Sequence, residues 1–333
     1  MQTDDNTRAF TALNPDQILD AVENSDFVCD GRILALNSYE NRVYQIGIED
    51  QSPLIAKFYR PQRWTDESIL EEHAFSQELA DLEIPVIAPL PAANGNTLRY
   101  HDHFRFALYV RQTGRPPELD NPDHLLQMGR FVGRMHAVAS TRDFQHRPVL
   151  STQAFGIDAS RYVLDSGLLP MELETVYDTL TQDLVTEIQS CEARAGEVQA
   201  IRLHGDFHPG NILWAEDGPH VVDLDDARTG PAIQDLWMFL SGDRSDMTAG
   251  IDELLEGYTG FHHFDARELN LIEALRTLRM IHYAAWLARR WEDPAFPLAF
   301  PWFNTRRFWD DHILELREQA ALLSEPPLMW MGG

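Results

Sequence analysis

Short runs of β-branched and aromatic residues, separated by turn signals, fill the first third of the chain. Arg32 to Leu36, Asn41 to Ile48 and Leu54 to Tyr59 read as strands with turns at Glu49-Asp50 and Ser52-Pro53, and they predict a small antiparallel sheet. Residues 66–82 switch to helical spacing, with Asp66 and Glu67 in the first turn, Phe75, Leu79 and Leu82 on one face and Pro85 as the stop. Phe104 to Val110 is a further strand. The connector Thr113-Gly114-Arg115-Pro116-Pro117 then marks a boundary, so residues 1–111 are expected to form one lobe and 112–333 another.

Helical periodicity dominates the second part. Asn121 is an expected N-cap with Pro122 at the first helical position, followed by apolar Leu125, Val132 and Met135. Val176, Leu180, Leu184 and Ile188 form an i, i+4 stripe, and residues 266–291 read as one long amphipathic helix. Between them lies a β-rich island, 203–224, in which Asn211 to Trp214 and Val221 to Leu224 flank the turn pair Asp217-Gly218. Gly230 to Trp237 is read as opening a helix. The pattern as a whole predicts an α+β chain, with a small β-rich N-terminal lobe carrying one long helix and a larger, mainly helical C-terminal lobe.

Length agrees with that division, since 333 residues exceed a usual domain of about 100–150. A formal charge of −26 argues against nucleic acid or an anionic membrane as partner, because either needs a basic face. Cys29 and Cys191 stand far apart and outside any CxxC spacing, which suggests neither a disulfide framework nor a zinc site. The polar start MQTDDNTRAF has no apolar leader run, and no stretch approaches the roughly 20 apolar residues of a membrane span. A monomer in the cytoplasm is the expectation.

The densest chemistry lies in His204-Gly205-Asp206-Phe207-His208-Pro209-Gly210-Asn211, with Asp223 twelve residues after Asn211. Phosphoryl transfer needs an alcohol in line with the γ-phosphate, a carboxylate for its proton and divalent cations to spread charge. Asp206 suits the base, Asn211 and Asp223 suit Mg2+, and His204 suits an orienting role. The competing reading makes His204, Asp206 and His208 ligands of a hydrolytic metal centre, which leaves Asn211 and Asp223 without a task. Lys57 on its strand, with Glu72 fifteen residues later on the helix, would present an ammonium to the phosphates of ATP. Glu71 is the alternative partner. The segment 36–43 would cover the phosphates through its backbone, helped by Ser38 and Asn41, though it has no glycine. Tyr109 and Val110 are the candidate contacts on the nucleotide-base side. Asp235 could cap the backbone of the Asp206 loop, although a buried structural aspartate is the favoured reading, and His136 is read as a packed core histidine.

HGDFHPGN, VVDLDDA and GPAIQDL resemble the aminoglycoside phosphotransferase and choline kinase group of kinase-like enzymes. That resemblance implies a bilobal protein-kinase-like fold and ATP- and Mg2+-dependent phosphorylation of a hydroxyl. LNSYENRVYQ, AKFYRPQRW, ILEEHAF and DPAFPLAFPW are similar, over nearly the whole chain, to a bacterial Ser/Thr protein kinase branch of the group with a role in envelope stress and in restraining toxin-linked cell death. The resemblance makes Asp206 the proton acceptor, Asn211 and Asp223 the magnesium ligands and Ser38 an ATP-loop contact. It also implies protein serine or threonine as acceptor. The residues themselves leave a small-molecule alcohol open: Gly205 stands where protein kinases place arginine, and Asp223 and Asp235 lie too close for a long activation segment. A pseudokinase scaffold is the remaining alternative, against which Lys57, Glu72, Asp206, Asn211 and Asp223 speak together. Glu216, Asp217, Asp225 and Asp226 crowd the same region and predict acceptors flanked by lysine or arginine.

Overall fold

The computed structural model describes Phe10 and residues 12–332; the polar opening segment, 1–9, lies outside the described residues. The elements begin with α1 (Pro15–Glu23), β1 (Cys29–Ala35), β2 (Arg42–Ile48), β3 (Leu54–Phe58), α2 (Asp66–Asp81), β4 (Arg99–His101) and β5 (Phe104–Val110). They continue with α3 (Pro122–Ala139), α4 (Asp158–Asp165), α5 (Met171–Ala195), β6 (Ala200–Leu203), β7 (Ile212–Ala215), β8 (Gly218–Val221) and β9 (Arg228–Pro231). The last helices are α6 (Arg244–Thr259), α7 (Ile272–Arg289), α8 (Ala295–Ala299) and α9 (Arg306–Leu323). Contacts gather them into two units: the first holds the described residues up to Pro117 with 145–147 and 210–225, and the second holds 118–144, 148–209 and the rest from 226.

In the first unit the strands form one antiparallel sheet in the order β1-β2-β3-β5-β4. Strand alternation sends Leu54, Ala56 and Phe58 of β3 to one face, where they pack with Ile46, Phe106 and Leu108 against Ile18, Ala21 and Val22 of α1. The opposite face carries Lys57, and just past the strand Tyr59 joins Ile69 of α2, Leu98 and Ala107 in a second apolar cluster. Lys57 pairs with Ala107 across β5, so Tyr109, two residues on, shares its face. Helix α2 starts at Thr65, whose hydroxyl accepts the Ser68 N–H, and turns Ile69, Glu72, His73, Ser76 and Leu79 inward. Leu82, expected on that row, is the C-cap and lies exposed.

The β7–β8 hairpin also belongs to this unit. It pairs Ile212 with Val221 and Ala215 with Gly218, and it is tied in by Ile87 N–H to Val221 O and Val221 N–H to Pro85 O, both 2.9 Å. The expected strand Val221 to Leu224 is displaced toward the turn. Asp223 has φ 63°, which ends the extended backbone, and Leu224–Asp226 is a 3-10 turn.

In the second unit α4, α5, α7 and α9 share one core, with Leu184 and Ile188 of the expected stripe fully buried and Val176 and Leu180 packed at its edge. Helices α3 and α6 meet backbone to backbone. A Cβ on Gly129 would stand 2.0 Å from the Leu254 carbonyl oxygen, and one on Gly257 would stand 2.2 Å from that of Leu126, so only glycine allows the approach. The single helix expected over 266–291 is a 3-10 segment, Ala266–Leu271, followed by α7. Glu268 in that segment is buried and accepts the Ile233 N–H at 2.8 Å, a tertiary bond that periodicity does not encode. The helix expected from Gly230 is instead the end of β9 followed by a 3-10 turn, Ala232–Asp235, because Arg228–Pro231 pairs with β6. Among the described residues no helix is long and apolar enough to cross a membrane.

Candidate functional site

The sheet face that carries Lys57 supplies the first group of residues. Lys57 is buried, and its Nζ lies 2.6 Å from Asp223 Oδ1 and 3.3 Å from Asp225 Oδ1. Asp225 is buried too and pairs with Arg63, while Arg147 donates to the Asp225 carbonyl. Asp223 differs, with half of its side chain exposed. Burial works against the Lys57 ammonium, but Asp223 and then Asp225 outweigh it and hold its pKa well above the ordinary value.

Asn211 and Asp223 meet through the hairpin. Beyond the Ile212–Val221 pair, the Val222 N–H donates to the Asn211 carbonyl at 3.0 Å, and Asp223 is the next residue. The two-residue turn therefore brings both to the open end of one hairpin. Asp223 adopts a left-handed backbone, which aspartate tolerates better than most residues and which re-aims its side chain where the strand ends.

Glu72 is buried on the inward row of α2, yet the ion pairs of Lys57 go to Asp223 and Asp225 rather than to Glu72. Burial raises the Glu72 carboxyl to about 7, with Lys57 pulling down and Asp225 pushing up. Glu71, one helical position away, faces elsewhere: its carboxylate accepts the backbone N–H groups of Gln145, His146 and Arg147 at 2.6–2.9 Å. It thereby holds the segment whose Arg147 reaches Asp225, a structural anchor rather than a partner for Lys57.

A polar chain that sequence reasoning missed runs beside Glu72. Tyr109 OH lies 3.1 Å from Tyr59 OH, which lies 2.7 Å from His73 Nε2, and His73 Nδ1 lies 2.8 Å from Thr97 Oγ1. Burial first, then Lys57, lowers the His73 pKa to about 3, so the imidazole is neutral. Tyr109 thus presents its hydroxyl to this chain, and Val110, next along β5, is half exposed. In the loop before β2, Ser38 Oγ donates to the Asn41 carbonyl at 3.3 Å, and the Asn41 side-chain oxygen accepts the Arg60 N–H at 3.0 Å. Ser38 thus braces the loop internally, and Asn41 ties it to the chain just past β3.

The second group belongs to the other unit. Asp235 Oδ2 accepts the His204 N–H at 2.7 Å and Oδ1 the Gly205 N–H at 2.9 Å, so one buried carboxylate fixes the backbone just before Asp206. The backbone N–H of His204 makes one bond of the orienting kind expected of this residue, and its ring lies against Phe207. His136 is buried between Asp235 (3.2 Å) and Tyr258 OH (3.0 Å), a core histidine in a polar chain. Gly205 has φ 85°, and a Cβ there would stand 2.3 Å from the Asp226 carbonyl, which excludes any larger residue from the position. Asp206 accepts from Arg279 of α7, a partner 73 residues away that no local motif announces. Asp226 is paired with Arg228. Two of the four acids expected to attract basic flanks, Asp225 and Asp226, are therefore already matched by arginines.

Glu72 gives a signed expectation. The unfolded chain titrates it near 4.5 and the folded chain near 7, so between those values the folded state holds the extra proton and stability falls as pH rises. Glu72→Gln keeps the shape of the neutral form. It should flatten the fall and exceed the parent by on the order of 2–3 kcal/mol at pH 8. Urea unfolding of both proteins at pH 5 and pH 8 checks this, and an unchanged slope in the variant contradicts it.

Comparison with known proteins places these residues in context. Residues 32–272 match the model of the phosphotransferase enzyme family, described as APH. The chain is 44% identical to stress response kinase A of Escherichia coli K12 over 97% of its own length and 98% of that protein. It is 42% identical to the serine/threonine protein kinase RdoA of Salmonella typhimurium, with the same coverage. Among solved structures, amicoumacin kinase in complex with AMP-PNP and Ca2+ shares the fold with a TM-score of 0.74 at 17% identity, each chain covered to 96%.

Proposed function

The chain belongs to the phosphotransferase enzyme family, and on that premise we propose that it is an ATP- and Mg2+-dependent protein kinase acting on serine or threonine in a bacterial stress response. It would work as a monomer in the cytoplasm. The observation that carries the reading is the buried Lys57 ammonium held on Asp223, with Asn211 at the mouth of the same hairpin. A buried lysine anchored on a half-exposed carboxylate is an unusual use of a strand position, and it suits a phosphate-binding ammonium beside a metal ligand.

The donor set fits magnesium. This ion takes one or two carboxylates and fills the rest of its shell with water and phosphate oxygens. Asp223 offers one half-exposed carboxylate, and Asn211, whose backbone carbonyl accepts the Val222 N–H, would supply its side-chain oxygen from the same end of the hairpin. When bound, Mg2+ would neutralise charge on the phosphates. Lys57 would orient them, and Asp206 would take the hydroxyl proton as the acceptor oxygen bonds the γ-phosphorus and ADP leaves. Asp235 would keep the Asp206 backbone in place.

The short separation of Asp223 and Asp235 favours one second reading, a small-molecule alcohol kinase, because it leaves little chain for a peptide platform. Cell extract incubated with the protein and γ-labelled ATP separates the two. Label on serine or threonine in protein bands supports the protein kinase; label confined to small solutes rejects it.

A further inference from the structure

Arg279 lies on α7 and donates a guanidinium N–H to Asp206 Oδ1, while His208 Nε2 lies 3.6 Å from Oδ2. The Arg279 side chain keeps 43% of its surface exposed and Asp206 keeps 25%. Among the described residues the polar partner of Arg279 is Asp206. Its neighbour one turn earlier, Arg276, is engaged differently, with Glu273 at 3.3 Å and with its guanidinium over the Trp237 ring. Among the described residues Arg279 braces no backbone carbonyl and packs over no ring, so folding gives no evident reason for its contact with the proposed base.

A partly solvated ion pair of this kind adds little to stability, so breaking it costs little. A guanidinium has five donors and binds carboxylate or phosphate oxygens through two parallel bonds. An acceptor that brings its own anion can therefore take Arg279 over from Asp206. On the kinase reading above, we propose that Arg279 selects the acceptor: it pairs with Asp206 until an anionic side chain next to the acceptor serine or threonine draws it away. The exchange takes the guanidinium off Asp206 Oδ1 as the hydroxyl arrives and leaves the anion held on the guanidinium. A lysine or arginine flank offers Arg279 nothing and is repelled by it. The preference is thus opposite to the one expected from the acidic residues of the sequence, of which Asp225 and Asp226 already have arginine partners.

Serine peptides that differ only in a flanking Glu or Arg, labelled at low salt by the parent, Arg279→Gln, Arg279→Glu and Arg279→Lys, test the idea through kcat/KM ratios. The parent should favour the Glu flank about tenfold, the size of one charge-assisted hydrogen bond. The ratio should fall to within about twofold in Arg279→Gln, invert in Arg279→Glu and survive in part in Arg279→Lys. Mg-ATP affinity, measured on each variant, reports that the fold is intact. A parent ratio near one, or an Arg279→Gln ratio equal to the parent's, overturns the proposal alone. If no peptide or protein is labelled while Mg-ATP still binds, the protein-kinase reading falls and the proposal falls with it.

Discussion

Asp206→Asn is expected to lower kcat by about 10^3 or more while Mg-ATP affinity stays within about twofold. The amide has the volume of the carboxylate and can still accept a hydrogen bond from Arg279, but it cannot take the acceptor's proton. The loop keeps its shape because its two critical N–H groups, those of His204 and Gly205, are held by Asp235 and not by Asp206. Nucleotide affinity should persist because Lys57, Asn211 and Asp223 belong to the other unit. Calorimetry with a non-hydrolysable ATP analogue and a single-turnover assay measure the two quantities separately. A variant that keeps more than a tenth of the parent rate would remove Asp206 from the role of base.

How much of this was legible in the sequence depends on how local each cause is. The face of Lys57 follows from alternation along β3, and the inward direction of Glu72 follows from its spacing to Ile69 and Ser76. Asn211 and Asp223 come together because a two-residue turn leaves no freedom in the pairing of β7 with β8. Asp235 is buried, as the favoured reading had it, and it also caps the Asp206 loop, the role held as the alternative. The rest depends on chain segments that return from far away. Residues 145–147 reach α2 through three backbone bonds to Glu71, and only that contact separates the roles of two adjacent glutamates. The Tyr59–His73–Thr97 chain joins positions whose residue types carry no signal of their own. Arg279 resembles any half-exposed helical arginine until Asp206 is seen against it.

The second large effect separates the two partners of the 2.6 Å contact between Lys57 and Asp223. Lys57→Met should lower kcat/KM by about 10^2–10^3, as removal of one preorganised electrostatic group does. Breaking a buried pair can cost about 3–5 kcal/mol, but Asp225 keeps Arg63 on its carboxylate and Arg147 on its carbonyl, so the fold should survive. The same variant releases Asp223 Oδ1 from the ammonium that now occupies it. Binding of Mn2+ in the absence of nucleotide, followed by electron paramagnetic resonance as a probe of the Mg2+ site, should therefore tighten. Asp223→Asn should weaken it instead, by about tenfold or more, and should abolish transfer as well. Asparagine accepts the left-handed backbone of this position, so lost charge and not a distorted loop would be the cause. Opposite shifts in Mn2+ affinity from two variants that both lose activity are the signature of an ammonium and a metal sharing one carboxylate. Equal weakening in both would show that Lys57 and the metal do not meet at Asp223.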